Sequence, residues 1–251
     1  MTDADLRRFD LTVDEARAQQ RALASRVVLS PPPGFAPRLV AGLDVSMERF
    51  GTVGFAGAVV IGVPGMRTVD EATVSAPLTF PYVSGLLSFR ELPLFVSVWE
   101  QLATKPDVVI FDGQGYAHPR RFGIACHGGV LFGVPSIGCA KSILVGRHEP
   151  LAPERGSRAP LVHRGEVVGV AIRLRDRVNP VFVSAGHLID LDTAVDVVLS
   201  VSAGYREPET TRRAHALVND ARRAAKGSLR LVAAPARPLR LARGTRTSRA
   251  R

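Results

Sequence analysis

The chain has 251 residues, 46% of them hydrophobic and 22% charged, which suits one large α/β domain with a substantial core and excludes a disordered chain. Its net charge of +10 is localised: residues 221–251 hold ten basic residues and no acid, which leaves a neutral body with 23 basic and 23 acidic residues. Two cysteines, Cys126 and Cys139, exclude a disulfide framework, and the longest apolar run, Val53 to Met66, is only 14 residues long and broken by glycines and Pro64, too short to span a membrane.

The polar N-terminus, MTDADLRRFD, carries no secretory signal, so a cytoplasmic protein with reduced core thiols is expected. Residues 10–29 read as a helix with Asp14 and Glu15 in its first turn, ended by PPPG at 31–34. RLVAGLDVS, residues 38–46, is a short apolar strand that ends in an acid, Asp44. A second apolar run spans Gly51 to Val63 and a third strand Thr68 to Ala76, and short turns between them predict an antiparallel meander. FPYVSGLLSFRE, residues 80–91, reads as a loop leading into a helix over Leu92 to Ala103.

Val108 to Phe111 is a β-branched apolar run that stops abruptly at Asp112, with Gly113 and Gly115 just behind. A helix near 122–131 follows, then a strand from Val134 to Ala140 that ends in Lys141, one of three lysines in the chain. Residues 146–165 read as a surface loop, 166–175 as a strand with NPVFVS as its hairpin partner, and Asp192 to Val201 and Thr210 to Ala225 as helices. This order predicts an α/β fold, a mixed β-sheet flanked by helices, in a single domain over 1–225. The tail, 226–251, is rich in Arg, Ala and Pro and reads as disordered. Its charge either adds salt-dependent attraction to phosphate or is dispensable.

A carboxylate at the end of a buried strand, beside glycines that let the backbone turn, is how α/β folds present a catalytic or metal-binding oxygen. GQGYAH contains two glycines of a dinucleotide fingerprint, but His118 takes the third place and Asp112 precedes the first, where it would repel a pyrophosphate. Dinucleotide binding is set aside. Asp44 and Asp112 lie 68 residues apart, and parallel pairing of their strands at the sheet centre would project both from one edge. Converging acids stay ionised only if a cation joins them, and Mg²⁺ prefers such oxygen ligands. Glu91, at the expected helix start, is the third candidate. Such a site suits phosphodiester hydrolysis; otherwise each acid is a solvated turn or cap residue.

VAGLDVS, PYVSGLLSFRE, FDGQGYAHPRRFGIACHGG, the Ala140-Lys141-Ser142 stretch and YREPETTRRAH occur in this order over residues 10–225. Together they resemble the endonuclease V family, deoxyinosine-specific nucleases of the ribonuclease-H-like fold. The resemblance implies a Mg²⁺-dependent DNA-repair enzyme, with Mn²⁺ as a substitute, that hydrolyses the second phosphodiester bond 3′ to a deaminated adenine. It places the metal acids on Asp44, Glu91 and Asp112, and adds Lys141 and His215 as catalytic candidates, Lys141 to steady the scissile phosphate and His215 near the metals. It also implies DNA contacts at Tyr82, the wedge aromatic, and at Gly85, Leu86 and Leu87, which would line the base pocket. Val83-Ser84 stands where the family usually has Ile-Pro, which implies a less rigid loop.

Each position also has a plainer reading. Tyr82 reads as a packing tyrosine, or as an aromatic filling the gap left by a flipped base. His118 either contacts phosphate or assists proton transfer, or stabilises the turn; His127 is a semi-buried histidine or a site residue. Lys141 is otherwise a solvated strand end, Arg212 and Arg213 a solvated helix face, and His187 has no assigned role. The implied partner is DNA containing deoxyinosine, with single-stranded DNA or RNA as alternatives, bound by a monomer. Two further readings stay open: a non-catalytic binder of inosine-containing nucleic acid, and a metal hydrolase of small phosphoesters that would leave the Tyr82 loop unexplained.

Overall fold

A computed structural model describes residues 3–48 and 51–232, with side chains over 5–48 and 51–226. Eight strands form one mixed sheet: β1 (Leu39–Met47), β2 (Val53–Gly62), β3 (Arg67–Pro77), β4 (Val108–Phe111), β5 (Ser136–Ala140), β6 (Arg158–His163), β7 (Glu166–Ile172) and β8 (Val181–His187). Their spatial order is β3-β2-β1-β4-β5-β8-β7-β6. The β1–β2–β3 meander is antiparallel, whereas β1–β4 and β4–β5 are parallel. The expected α/β architecture is therefore present, and β1 lies beside β4 at the centre of the sheet.

The helices are α1 (Asp3–Leu6), α2 (Val13–Leu23), α3 (Leu87–Gln101), α4 (Ile124–Phe132), α5 (Leu191–Ser200) and α6 (Glu209–Val232). Alternation along β1 and β4 divides the core between the two faces of the sheet. Val40, Val108 and Ile110 pack with Val195 and Val198 of α5 and Ala214 of α6. Ala41, Leu43, Val109 and Phe111 pack with Leu92, Phe95 and Val98 of α3 and Ile124 of α4. Phe111 meets Phe95 edge-on at 5.8 Å between ring centroids, a favoured aromatic geometry.

Four elements depart from the sequence expectation. Helix α2 begins at Val13 rather than residue 10, because Thr12 and Glu15 form a reciprocal capping box that fixes its start, and it ends at Leu23. Helix α3 begins at Leu87, five residues before the expected start. Burial of Ser88, Phe89 and Leu92 outweighs the helix bond that Pro93 removes. Residues 158–163, expected within a loop, form the edge strand β6 against β7. Its Pro160 is tolerated because an edge strand has one side without ladder bonds. Helix α6 continues to Val232, past the expected end at 225; the rest of the basic tail, 233–251, lies outside the described residues. Both cysteines are free and buried. No helix among the described residues is long and apolar enough to cross a membrane.

Candidate metal and nucleic-acid site

Register delivers the first two acids. Leu43 pairs with Phe111 across the parallel β1–β4 ladder, and the Asp112 amide donates to Leu43 O at 3.4 Å, so Asp44 and Asp112 occupy the next rung together. Glu91 reaches the same place from the opposite face of the sheet, carried by the second turn of α3. Burial pushes Glu91 well above its ordinary carboxylate range, and the charges of Asp44 and Asp112 push it further. Asp44 is also raised, by burial first and by Asp112 second. The three acids thus sense one another electrostatically.

Two side chains from other elements engage the aspartates. His215, on α6, places Nδ1 2.7 Å from Asp44 Oδ2. Lys141, just past β5, places Nζ 2.7 Å from Asp112 Oδ2 and 3.1 Å from Glu207 Oε2. Burial alone would lower the Lys141 pKa, but Asp112 and Glu207 overcome that and hold it above its ordinary value.

His215 owes its position to a glycine. A Cβ on Gly42 of β1 would stand 2.5 Å from Thr210 O and Thr211 N, so the first turn of α6 lies directly on the strand that carries Asp44. Further along, Ser46 Oγ donates to Asn219 Oδ1 at 2.8 Å and Arg222 donates to Met47 O at 2.8 Å. These bonds hold α6 along β1.

Among the described residues no three His, Cys, Asp or Glu side chains form a ready-made metal cluster as placed; Asp44 and Asp112 bond His215 and Lys141 instead. The donor set nevertheless fits a hard divalent cation. It is built of carboxylate oxygens, and two of the three acids resist ionisation, through burial first and neighbouring carboxylates second, a cost that an oxygen-ligated ion relieves.

Beside Asp112 and Lys141 opens a cavity of about 230 Å³, also lined by Tyr82, Gly85, Leu87, Gln114, His118 and Ile124. Tyr82 stands at its mouth, 75% exposed. The loop below Tyr82 is fixed at Gly85, whose φ of 78° is left-handed and suits glycine. Gly85 O accepts hydrogen bonds from Gln20 Nε2 at 3.0 Å, His118 Nε2 at 2.9 Å and Arg120 at 2.9 Å. This anchor offsets the slackness expected of Val83-Ser84. Gln20, on α2, also donates to Phe122 O at 3.0 Å and receives Arg120 Nε at 2.6 Å. No spacing in the sequence linked it to the loop.

The structure separates the remaining candidates. His118 lines the cavity, yet its Nε2 is engaged by Gly85 and its Nδ1 accepts from the Arg120 amide at 3.2 Å. Burial lowers its pKa to about 4, so it is a neutral brace for the turn, with no free nitrogen for phosphate. Leu86 does not line the cavity; it is fully buried against Ala16, Phe80 and Phe89. His127 is remote from the acids, enclosed by Phe9, Phe89 and Phe122 with Nε2 3.3 Å from Leu6 O. His187 accepts from the Val28 amide at 3.2 Å. Arg212 and Arg213 clamp the buried Glu209 at 2.6 and 2.9 Å and so fix the start of α6 rather than form a solvated face. Gly115 N donates to Ser184 Oγ and Tyr116 N to Ala185 O, at 2.9 and 2.7 Å, which docks the glycine turn on β8 and leaves no phosphate cradle.

Known proteins share this chain's sequence and fold. The Endonuclease V family model matches residues 21–216. Endonuclease V of Myxococcus xanthus (strain DK1622) is 60% identical over 220 residues, covering 88% of this chain and 94% of that protein. The crystal structure of endonuclease V from Streptomyces avermitilis superposes with a TM-score of 0.79 at 44% identity, covering 86% of this chain and 95% of that one. That of Ciona intestinalis endonuclease V, in complex with a 24mer DNA containing an inosine followed by a ribo-adenosine, gives a TM-score of 0.74 at 27% identity, over 85% of this chain and 98% of that one. A matched family model, close relatives over nearly their full lengths and a shared fold lead to one statement: the chain belongs to the endonuclease V family.

Proposed function

We propose that this protein is a Mg²⁺-dependent repair endonuclease that binds DNA containing deoxyinosine and hydrolyses the second phosphodiester bond 3′ to the lesion. It acts as a cytoplasmic monomer. The observation that carries this reading is the junction of two features: the cavity under Tyr82 opens directly onto Asp112 and Lys141. A base held there leaves its own strand running past the acids.

Asp44, Glu91 and Asp112 are the residues that would hold Mg²⁺, or Mn²⁺ in its place. When bound, the ion supplies Lewis-acid stabilisation of phosphate charge and a more acidic water. The protein's own groups do the rest. His215 donates Nδ1–H to Asp44, which leaves Nε2 as a proton acceptor at the exposed edge of its ring. Lys141 brings a fixed ammonium to the scissile phosphate. Tyr82 fills the gap left by the displaced base, while Gly85 and Leu87 form the wall against which that base lies.

The test is a denaturing gel of a labelled duplex bearing one deoxyinosine, with Mg²⁺, the wild-type chain and Asp112→Ala. A single nick one bond beyond the lesion's 3′ neighbour, absent in the variant, is expected; a nick that survives the substitution overturns the site. Tyr82→Ala should slow duplex nicking about tenfold, since base–aromatic stacking contributes roughly 1–3 kcal/mol. Single-stranded substrate, already unpaired, should suffer less. Equal losses on both would remove Tyr82 from strand separation.

A second reading, inosine in RNA, is favoured by the ribo-adenosine that follows inosine in the strand bound to the Ciona relative. Faster cleavage of a matched inosine-containing RNA on the same gel would select it.

A further inference from the structure

Lys141 is shared. Its ammonium contacts Asp112, one of the acids assigned above to the metal, and also Glu207, which touches neither Asp44 nor Glu91 through any hydrogen bond or ion pair among the described residues. Glu207 is held in place by its neighbours. Arg206 donates to Lys141 O at 2.8 Å and to Pro180 O at 3.2 Å, and the Glu209 amide donates to Val201 O at 2.8 Å. The carboxylate therefore arrives on a backbone tied at both ends to the elements around β5 and α6. Its side chain is only 26% exposed, so its charge is less screened than that of a surface glutamate.

An ammonium in contact with Asp112 competes with any cation for the same oxygens. When a divalent ion draws the charge of Asp112, Lys141 must lose part of that pairing, and a desolvated ammonium without a partner is costly. Glu207 removes that penalty by retaining the ammonium.

We propose that Glu207 is a positioning residue that acts through Lys141, retaining the ammonium when a cation draws the charge of Asp112 and so freeing Asp112 for the metal. The inference rests on the metal-site reading given above. Glu207 never touches substrate or metal, and its effect is to reduce the competition between Lys141 and the ion.

The experiment is Mn²⁺ binding to the full chain followed by electron paramagnetic resonance of the free ion, with no turnover involved. In the wild-type background E207Q should weaken Mn²⁺ binding about tenfold, and Glu207→Asp should restore much of it. In a Lys141→Met background, where no ammonium competes, E207Q should change binding by less than about twofold, the signature of coupling in a double-mutant cycle. A similar fall in both backgrounds would mean that Glu207 acts only as a distant charge, and no fall in either would mean that it does not act on the ion; both overturn the inference. Asp112→Ala separates the layers. If that variant binds Mn²⁺ like the wild type, or the wild type binds none, the metal-site reading itself fails and the inference falls with it.

Discussion

Replacing Glu91 by glutamine should raise the melting temperature of the metal-free protein while it removes nicking. The two effects have one cause. Glu91 is forced into a site where burial and the charges of Asp44 and Asp112 oppose its ionisation, so the ionised side chain strains the fold that presents it. A raised folded-state pKa contributes stability that is fully present below the ordinary value, 4.5 for Glu91, and lost as pH rises through the raised value. Glutamine keeps the shape and never ionises. The variant should therefore match the wild type in acid, exceed it increasingly as pH rises from 4.5 through the raised value, and keep a constant advantage above it, of about 1 kcal/mol or about 2–4 °C in a chain of this size. Nicking should fall roughly 10³-fold, because one of the three carboxylates assigned to the metal is gone. Melting curves across pH, without metal, check the first effect, and a flat difference between variant and wild type would refute the electrostatic explanation.

Gly42→Ala should be among the most damaging single methyls in the chain's central strands. Its Cβ would stand 2.5 Å from backbone atoms of Thr210 and Thr211, and neither can rotate away as a side chain would. Helix α6 must lift off β1, at a cost of about 3 kcal/mol or about 6–12 °C in melting temperature. His215 leaves Asp44 with it, so any variant that still folds should nick far more slowly. Gly62→Ala is the control. The same methyl there meets only Val69 at an ordinary 3.6 Å, and near-wild-type melting and nicking are expected.

The sequence made some of this legible and hid the rest for physical reasons. Short apolar runs that end in Asp44 and Asp112 are local signals, and parallel pairing of their strands follows from the length of chain between them. Lys141 was visible as a rare lysine beyond an apolar strand. The true start of α3 was not, because Pro93 signals a helix beginning whereas tertiary burial of Phe89 and Leu92 decides it. Strand β6 was hidden by its proline, Pro160, and half-exposed alternation, as edge strands often are. The fates of Leu86 and His118 depend on which neighbours they meet, Phe89 in one case and Gly85 O in the other. Glu207 lay within a recognised stretch, but nothing in its spacing indicated that Lys141, 66 positions earlier, would stand 3.1 Å away.

The direct seating of α6 on β1 also orders events during synthesis. His215 lies 171 positions after Asp44, and the helix that carries it is the last element of the described chain. A nascent polypeptide can complete the meander, α3 and the β4–β5 pair while the ribosome is still translating, yet Asp44 lacks its partner and Gly42 has nothing lying on it. Prematurely terminated products therefore carry the three acids without an assembled centre. On the metal-site reading proposed above, competence awaits the docking of α6, the last helix among the described residues.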